Sequence, residues 1–178
     1  MIPILYESTE TAFLTNGLGR MSDAVSCTVS EERNSAFELR MEYPINGIHY
    51  SDLAVRKILL AKPNQVDQPQ PFRIYQITRP MNGIVTVNAE HISYDLSGYP
   101  VEPFDAYGAD DTFTAIEANV VEPTPFSFYT DLTDDSEQLL VEKPCSIRSI
   151  FKSMEVFGGE FVFDRYSVSL LANRGQDR

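Results

Sequence analysis

The sequence predicts an α+β protein that is mainly β, in which an N-terminal antiparallel β-barrel or sandwich is followed by a smaller α+β domain. The first supporting observation is a hairpin pattern: two strand-like stretches between Pro71 and Leu96 flank the turn sequence Pro80-Met81-Asn82-Gly83. The second is that the first hundred residues contain about six such stretches and no long helical pattern. The third is a change to helical spacing of apolar residues after residue 110.

The strand after this turn has the clearest alternation in the hairpin. Apolar positions recur at every second residue from Val85 to His91, which is typical of a half-buried strand. The phase then slips by one residue, since Ile92, Tyr94 and Leu96 carry the next apolar positions. Such a slip predicts a β-bulge or a bend out of the sheet.

The strands before the hairpin follow the same logic. We predict strands over residues 2–6, 24–29, 37–43 and 56–62, with a turn at Asn16-Gly17. The second and third of these form a predicted antiparallel hairpin. Its inward side chains are Val25, Cys27 and Val29 on one strand, and Phe37, Leu39, Met41 and Tyr43 on the other.

The strand predicted over Phe72–Arg79 has apolar residues on both faces. Phe72 and Ile74 share one face, and Tyr75 and Ile77 share the other. A strand buried on both sides needs cover, either from a second layer of the same chain or from a neighbouring subunit.

A cluster of Gly and Pro residues divides the chain. We predict domains over residues 1–97 and 111–178, joined by a linker over residues 98–110. In the second domain, Asp110-Asp111 is expected to cap a helix carrying Phe113, Ile116 and Val120. Another helix is expected to begin at Pro144 or Ser146 and to end at Gly158-Gly159. Strands are predicted over residues 126–129, 160–163 and 167–171.

The composition is that of a folded, acidic protein. The chain has 178 residues, 43% of them hydrophobic, with 26 acidic and 14 basic side chains and a net charge of -12. This balance disfavours binding to a phosphate backbone or an anionic membrane. The simplest role of such a charge is solubility. Cys27 and Cys145 form no C-x-x-C pair and are predicted to be reduced thiols.

We predict no catalytic, cofactor-binding or metal-binding residue. Only His49 and His91 could serve as a catalytic base, and His91 has the phase of a packed strand residue. The acidic loop over residues 130–137 lacks the spacing of an EF-hand and is expected to be solvated rather than to bind calcium. The aromatic residues of the second domain could form a sugar platform, although a core is the expected use. They are Phe126, Phe128, Tyr129, Phe161, Phe163 and Tyr166.

Several segments, in this order along the chain, resemble the phage and prophage tail endopeptidase family. They are NGLGRMSDAVSCTVSEERNSAFELRMEYP, KILLAKP, FRIYQITR with GIVTVNAEHISYDL, and FGGEFVFDRYSVSLLANRG. These proteins are tail-associated lysins, or baseplate hub proteins. Asn34-Ser35 stands where family members often have Asn-Gly, so that turn is expected to be looser.

The resemblance implies a structural role. It suggests the N-terminal hub region of a virion protein made in the bacterial cytoplasm, forming a homotrimeric ring between the tail tube and the host-facing device. The expected partners are copies of itself and neighbouring tail proteins, with DNA only as passing cargo and no membrane insertion. Any peptidase would lie in a continuation beyond the RG motif at Arg174-Gly175. The alternatives are a peptidoglycan endopeptidase within these residues and a carbohydrate-binding module for the host surface.

Overall fold

A computed structural model describes residues 1–173, which form two compact units. The first comprises Met1–Ile92, and the second begins at Ser93. The chain is mainly β, with few helices, as the sequence predicts. The RG motif lies outside the described residues. None of the helices within residues 1–173 has the length and apolar character that a membrane-spanning helix requires.

The first unit is built on one antiparallel sheet that curls into a half-barrel. Its seven strands are β1 (Ile4–Tyr6), β2 (Gly19–Arg20), β3 (Ser26–Glu31), β4 (Phe37–Pro44), β5 (Ile58–Ala61), β6 (Gln70–Ile77) and β7 (Ile84–His91). They are ordered β2-β1-β5-β6-β7-β4-β3. The antiparallel arrangement is confirmed, but within the described residues the sheet is open, not a closed barrel. Closure would need β2 to pair with β3, and β2 extends over only two residues.

The inner face of this sheet forms the core of the unit. On β4 every second side chain is buried, and the residues between them point outward. Strand β7 pairs with β4 so that Val87 lies opposite Met41 and Ala89 opposite Leu39. The alternation predicted for both strands is confirmed, because each has one face against the core and one face against solvent.

The turn between β6 and β7 is a two-residue hairpin turn. Asn82 and Gly83 have φ angles of 51° and 76°. The backbone N–H groups of Met81 and Ile84 each donate to the other residue's carbonyl, at 2.8 and 3.0 Å. Positive φ at both central residues defines a type I′ turn, which matches the twist of the flanking strands. The Asn-Gly sequence therefore predicts this turn correctly.

Strand β6 is not apolar on both faces, because it contains a β-bulge. Ile74 pairs with Ala89 and Gln76 with Asn88, so Tyr75 is an extra residue with no partner in the register. The extra residue reverses the alternation and returns Ile77 to the inner face, opposite Val87. Tyr75 is 47% exposed. The prediction of two apolar faces on this strand is wrong for this reason.

Strand β3 is less buried than its pattern suggests. Val25, expected to point inward, is 60% exposed, and Cys27 and Val29 are half-buried. The strand lies at the edge of the sheet and has β4 as its neighbour on one side. An edge strand has less of the sheet around it, so the alternation is present but the inward side chains are incompletely covered.

The chain leaves the sheet after His91. Residues Ile92–Gly98 form a 3-10 helix in which Ile92 and Leu96 are fully buried. Of the two expectations for the phase slip, the bend out of the sheet is confirmed.

Residues 98–110 do not form a free linker. They contain the short strands β8 (Pro100–Val101) and β9 (Phe104–Tyr107), and α1 (Gly108–Asn119) begins within them. Each strand finds its partner in a distant segment, β8 in residues 145–146 and β9 in residues 138–141. The Gly and Pro residues of this segment lie within and between short strands.

The second unit packs two helices with short strands. It adds β10 (Ser127–Thr130), β11 (Gln138–Val141), β12 (Cys145–Ser146), α2 (Ile147–Ser153), β13 (Glu160–Asp164) and β14 (Ser167–Leu171). Strand β14 pairs in parallel with β10 and antiparallel with β13, giving a three-stranded sheet. Phe151 contacts the rings of Phe113, Phe128, Phe161 and Phe163, with ring centroids 4.8 to 6.5 Å apart. Most of the aromatic set therefore belongs to the core, although Tyr129 is exposed.

Helix α2 begins where the sequence predicts, but it ends at Ser153, and a 3-10 helix continues the segment to the predicted stop at Gly158. Ser146, one of the two expected starting residues, is its N-cap, and the hydroxyl oxygen accepts a hydrogen bond from the Ser149 backbone N–H at 3.3 Å. A short 3-10 helix, Met154–Phe157, follows α2 and stops at Gly158, which has a φ of 73°.

Helix α1 begins earlier than expected, at Gly108. Its N-cap is Tyr107, and Asp110 and Asp111 lie in the first turn. Asp111 Oδ2 accepts a hydrogen bond from the Tyr107 backbone N–H at 2.9 Å. The two acids therefore stabilise the positive end of the helix dipole instead of capping it. Val120 lies just beyond the last helical residue.

Candidate functional site

The segment after β4 holds a histidine–aspartate pair. His49 Nδ1 lies 2.9 Å from Asp52 Oδ2. The His49 backbone N–H donates to the Tyr43 hydroxyl at 3.2 Å, and that hydroxyl lies 3.4 Å from Asp23 Oδ2. Asp23 Oδ2 also accepts from the Ile48 backbone N–H at 2.8 Å. Burial is the largest effect on the Tyr43 phenol and raises its pKa, the hydrogen bond from His49 opposes this rise, and the nearby Asp23 adds to it.

This arrangement orients the His49 imidazole through Asp52. A catalytic imidazole needs one nitrogen on its carboxylate and the other within reach of a nucleophile or substrate. His49 Nε2 instead faces the backbone of Gly19, so closely that a Cβ at residue 19 would overlap the ring. Among residues 1–173 the His49 side chain hydrogen-bonds only to Asp52. We infer that the pair, with Asp23 and Tyr43, holds the loop against the sheet.

His91 packs in the core, as its position in the alternation predicts. It is fully buried, and its Nε2 lies 3.2 Å from Gln70 Oε1. Its ring stacks on Phe37, with centroids 4.6 Å apart, and meets the edge of Phe72. These contacts are those of a core residue whose polar atom is hydrogen-bonded.

In the acidic loop after β10, two carboxylates accept hydrogen bonds from backbone N–H groups. Asp131 Oδ1 accepts from the Ala172 backbone N–H at 2.8 Å, and Asp134 Oδ1 accepts from the Ser136 backbone N–H at 2.9 Å. Hydrogen bonds from Ser136 lower the pKa of Asp134. Over the described part of the chain, no three or more His, Cys, Asp or Glu side chains come together in an arrangement that could hold a metal ion.

The two cysteines are free thiols, as expected. Cys27 and Cys145 are both half-buried. Burial raises the pKa of the Cys27 thiol to about 11, which leaves it almost entirely protonated, and a protonated thiol is a poor nucleophile.

A groove of about 740 Å³ lies beside the first strand. Apolar side chains and two cations, Arg20 and Lys62, line it together with a polar loop.

Sequence reasoning missed two features that shape the surface. One is Asp23, which anchors a loop 25 residues away. The other is the exposure of Tyr75, which results from the bulge. An apolar residue that breaks the phase of an otherwise regular strand could have indicated the bulge, whereas no local pattern marks Asp23.

The half-barrel sheet and the small α+β unit define the chain as a mainly β protein. A solved structure with a similar fold is known. The chain is similar to the prophage tail protein gp18 from Listeria monocytogenes EGD-e, with a TM-score of 0.70 and 14% sequence identity over 96% of this chain and 50% of that one. It therefore spans about half the length of that protein. At this identity the likeness shows a shared fold. No protein-family model matches the sequence, and no curated protein sequence matches it.

Proposed function

We propose that this chain is a structural component of a phage or prophage tail. The observation that carries the proposal is the fold, which follows that of a prophage tail protein over 96% of this chain at a TM-score of 0.70. The order of the segments that resemble tail-associated lysins supports the same assignment independently of the fold. The location implied is the virion, after synthesis in the bacterial cytoplasm.

A finer part of the proposal is that the chain forms the N-terminal hub region of a tail-tip protein. Copies would assemble into a homotrimeric ring between the tail tube and the host-facing device, in contact with neighbouring tail proteins. The net charge of -12 suits a ring through which DNA passes as cargo, because like charges keep the phosphate backbone from adhering.

The chain acts in this proposal through its shape and interfaces, with no catalytic residue. His49 is the strongest candidate for a base, and its ring is held by Asp52 and packs close to Gly19. Any peptidase activity would belong to a continuation of the chain.

Two measurements on the full-length protein that contains this chain test the proposal. Native mass spectrometry should give three copies per assembly. Antibodies against residues 1–173 should label the tail tip of induced phage particles in electron micrographs. A protein that remains monomeric, tails that carry no label, or clearing of purified cell wall by this chain alone would contradict the assignment.

A further inference from the structure

A shallow groove of about 390 Å³ crosses the outward face of the half-barrel sheet. It runs over β3, β4, β7 and the bulge of β6, and its volume lies within the range of small-molecule sites. Its polar and aromatic lining residues are Thr28, Ser30, Glu38, Arg40, Tyr75 and Asn88. We propose that this groove binds an uncharged oligosaccharide.

The hydrogen-bonding side chains of the groove are arranged in a row across the strands. The register places Thr28 opposite Arg40, Arg40 opposite Asn88, and Asn88 opposite Gln76. Asn88 Nδ2 donates to Gln76 Oε1 at 3.0 Å, which orients the amide. Adjacent strands are about 4.8 Å apart, comparable to the length of one pyranose ring. Successive sugar units could therefore meet successive strands.

The bulge gives the groove its aromatic ring. Because Tyr75 is the extra residue of β6, it leaves the core alternation and lies at the groove, 47% exposed. Bulges commonly re-aim a side chain in this way. A tyrosine ring has an apolar face with a polar tip, which suits a sugar whose C–H face is apolar and whose rim carries hydroxyls.

The charged residues that line the groove indicate which class of ligand it could bind. Glu38 and Arg40 contribute one charge of each sign, so the groove is neutral on a chain of net charge -12. Arg40 also lies 3.5 Å from Glu42. A polyanion such as nucleic acid needs several cations, and an apolar peptide needs exposed aliphatic pockets. The groove offers instead hydroxyls and an amide that both donate and accept hydrogen bonds, a guanidinium that donates and a carboxylate that accepts, as sugar hydroxyls require.

The groove is arranged for binding and not for cleavage. Glycoside hydrolysis uses two carboxyl groups on either side of the scissile bond. Among residues 1–173, Glu38 is the one carboxylate that lines the groove, and Glu90, opposite it in the register, lies outside the lining.

The probe for this proposal is the trimer of N-acetylglucosamine, an uncharged sugar whose acetamido groups can pair with Arg40 and Asn88. Isothermal titration of the chain should give saturable binding with a Kd below about 1 mM. Tyr75→Ala should weaken binding at least about tenfold through loss of the stacking surface, while Tyr75→Phe should stay within about twofold. Tyr107→Ala is the matched control, because Tyr107 is 49% exposed and lies outside the groove.

Three results would overturn the proposal. They are no saturable binding of the trimer up to about 10 mM, equal weakening by Tyr75→Ala and Tyr107→Ala, and a change of oligomeric state in Tyr75→Ala without any sugar binding. The last result would make the groove an interface between copies. Sugar binding is independent of tail assembly, so either proposal can fail while the other holds.

Discussion

At the scale of single residues, removal of the His91 side chain should clearly lower the stability of the first unit. It is fully buried, stacks on Phe37 and pairs with Gln70. His91→Ala would leave a cavity between the rings and remove the buried contact with Gln70 Oε1, so we expect the free energy of unfolding to fall by about 3 kcal/mol or more. Urea denaturation of the full chain, followed by circular dichroism, measures this difference.

Two further substitutions separate the packing of His91 from its polarity. His91→Phe keeps the stacked ring but removes the contact with Gln70, and should cost less than the alanine substitution, about 1 to 3 kcal/mol. Val66→Ala is the control, since Val66 is 88% exposed and surface changes stay within about 0.5 kcal/mol. A His91→Ala variant as stable as Val66→Ala would show that the ring is not a structural element of the core.

Single residues also show why the candidate site was only partly predictable. The role of His91 follows from its phase in a regular strand. The surroundings of His49 do not, because Gly19, Asp23 and Tyr43 reach it from β2, from the turn before β3 and from β4. Contacts between distant segments leave no periodic signal, so the sequence could suggest His49 as a base but could not show that its ring packs against Gly19.

At the scale of elements, the turn between β6 and β7 depends on backbone conformation alone. Gly83 has a φ of 76°, and a Cβ at that position would meet nothing within 4 Å. Gly83→Ala should therefore destabilise the hairpin through the left-handed conformation alone, by about 1 kcal/mol. The measurement is the urea midpoint of the variant against the unsubstituted chain.

Gly98→Ala is the matched control for this turn. A Cβ at Gly98 also meets open space, and Gly98 does not have the positive φ of Gly83. The control should leave stability unchanged within about 0.5 kcal/mol. Equal effects of the two substitutions would mean that the backbone conformation of the turn carries no energetic cost.

Elements with regular alternation were predictable, and those with a local irregularity were not. Strands β4 and β7 and the Asn82-Gly83 turn follow directly from residue type and spacing. One inserted residue in β6 was enough to make the strand look apolar on two faces. Strands β8 and β9 are stabilised by distant partners rather than by their own propensity, so a sequence rich in Gly and Pro resembled a linker.

At the scale of the whole molecule, the net charge of -12 should govern how copies of the chain associate. Repulsion between exposed carboxylates is screened over about 10 Å at 0.1 M salt and over about 3 Å at 1 M. If assembly rests on packed surfaces, the association constant should rise severalfold when NaCl is raised from about 20 mM to about 500 mM. Sedimentation equilibrium of the chain at these two concentrations measures it.

A double substitution tests whether charge is the cause. Glu122→Gln combined with Asp134→Asn changes the net charge from -12 to -10. Both residues are exposed. Hydrogen bonds from Ser136 lower the pKa of Asp134 and favour its ionised form. Self-association of this variant should be stronger at low salt and less sensitive to added salt. Association that weakens as salt is added would instead indicate an interface of ion pairs between copies. In that case the acidic surface would not be what limits assembly.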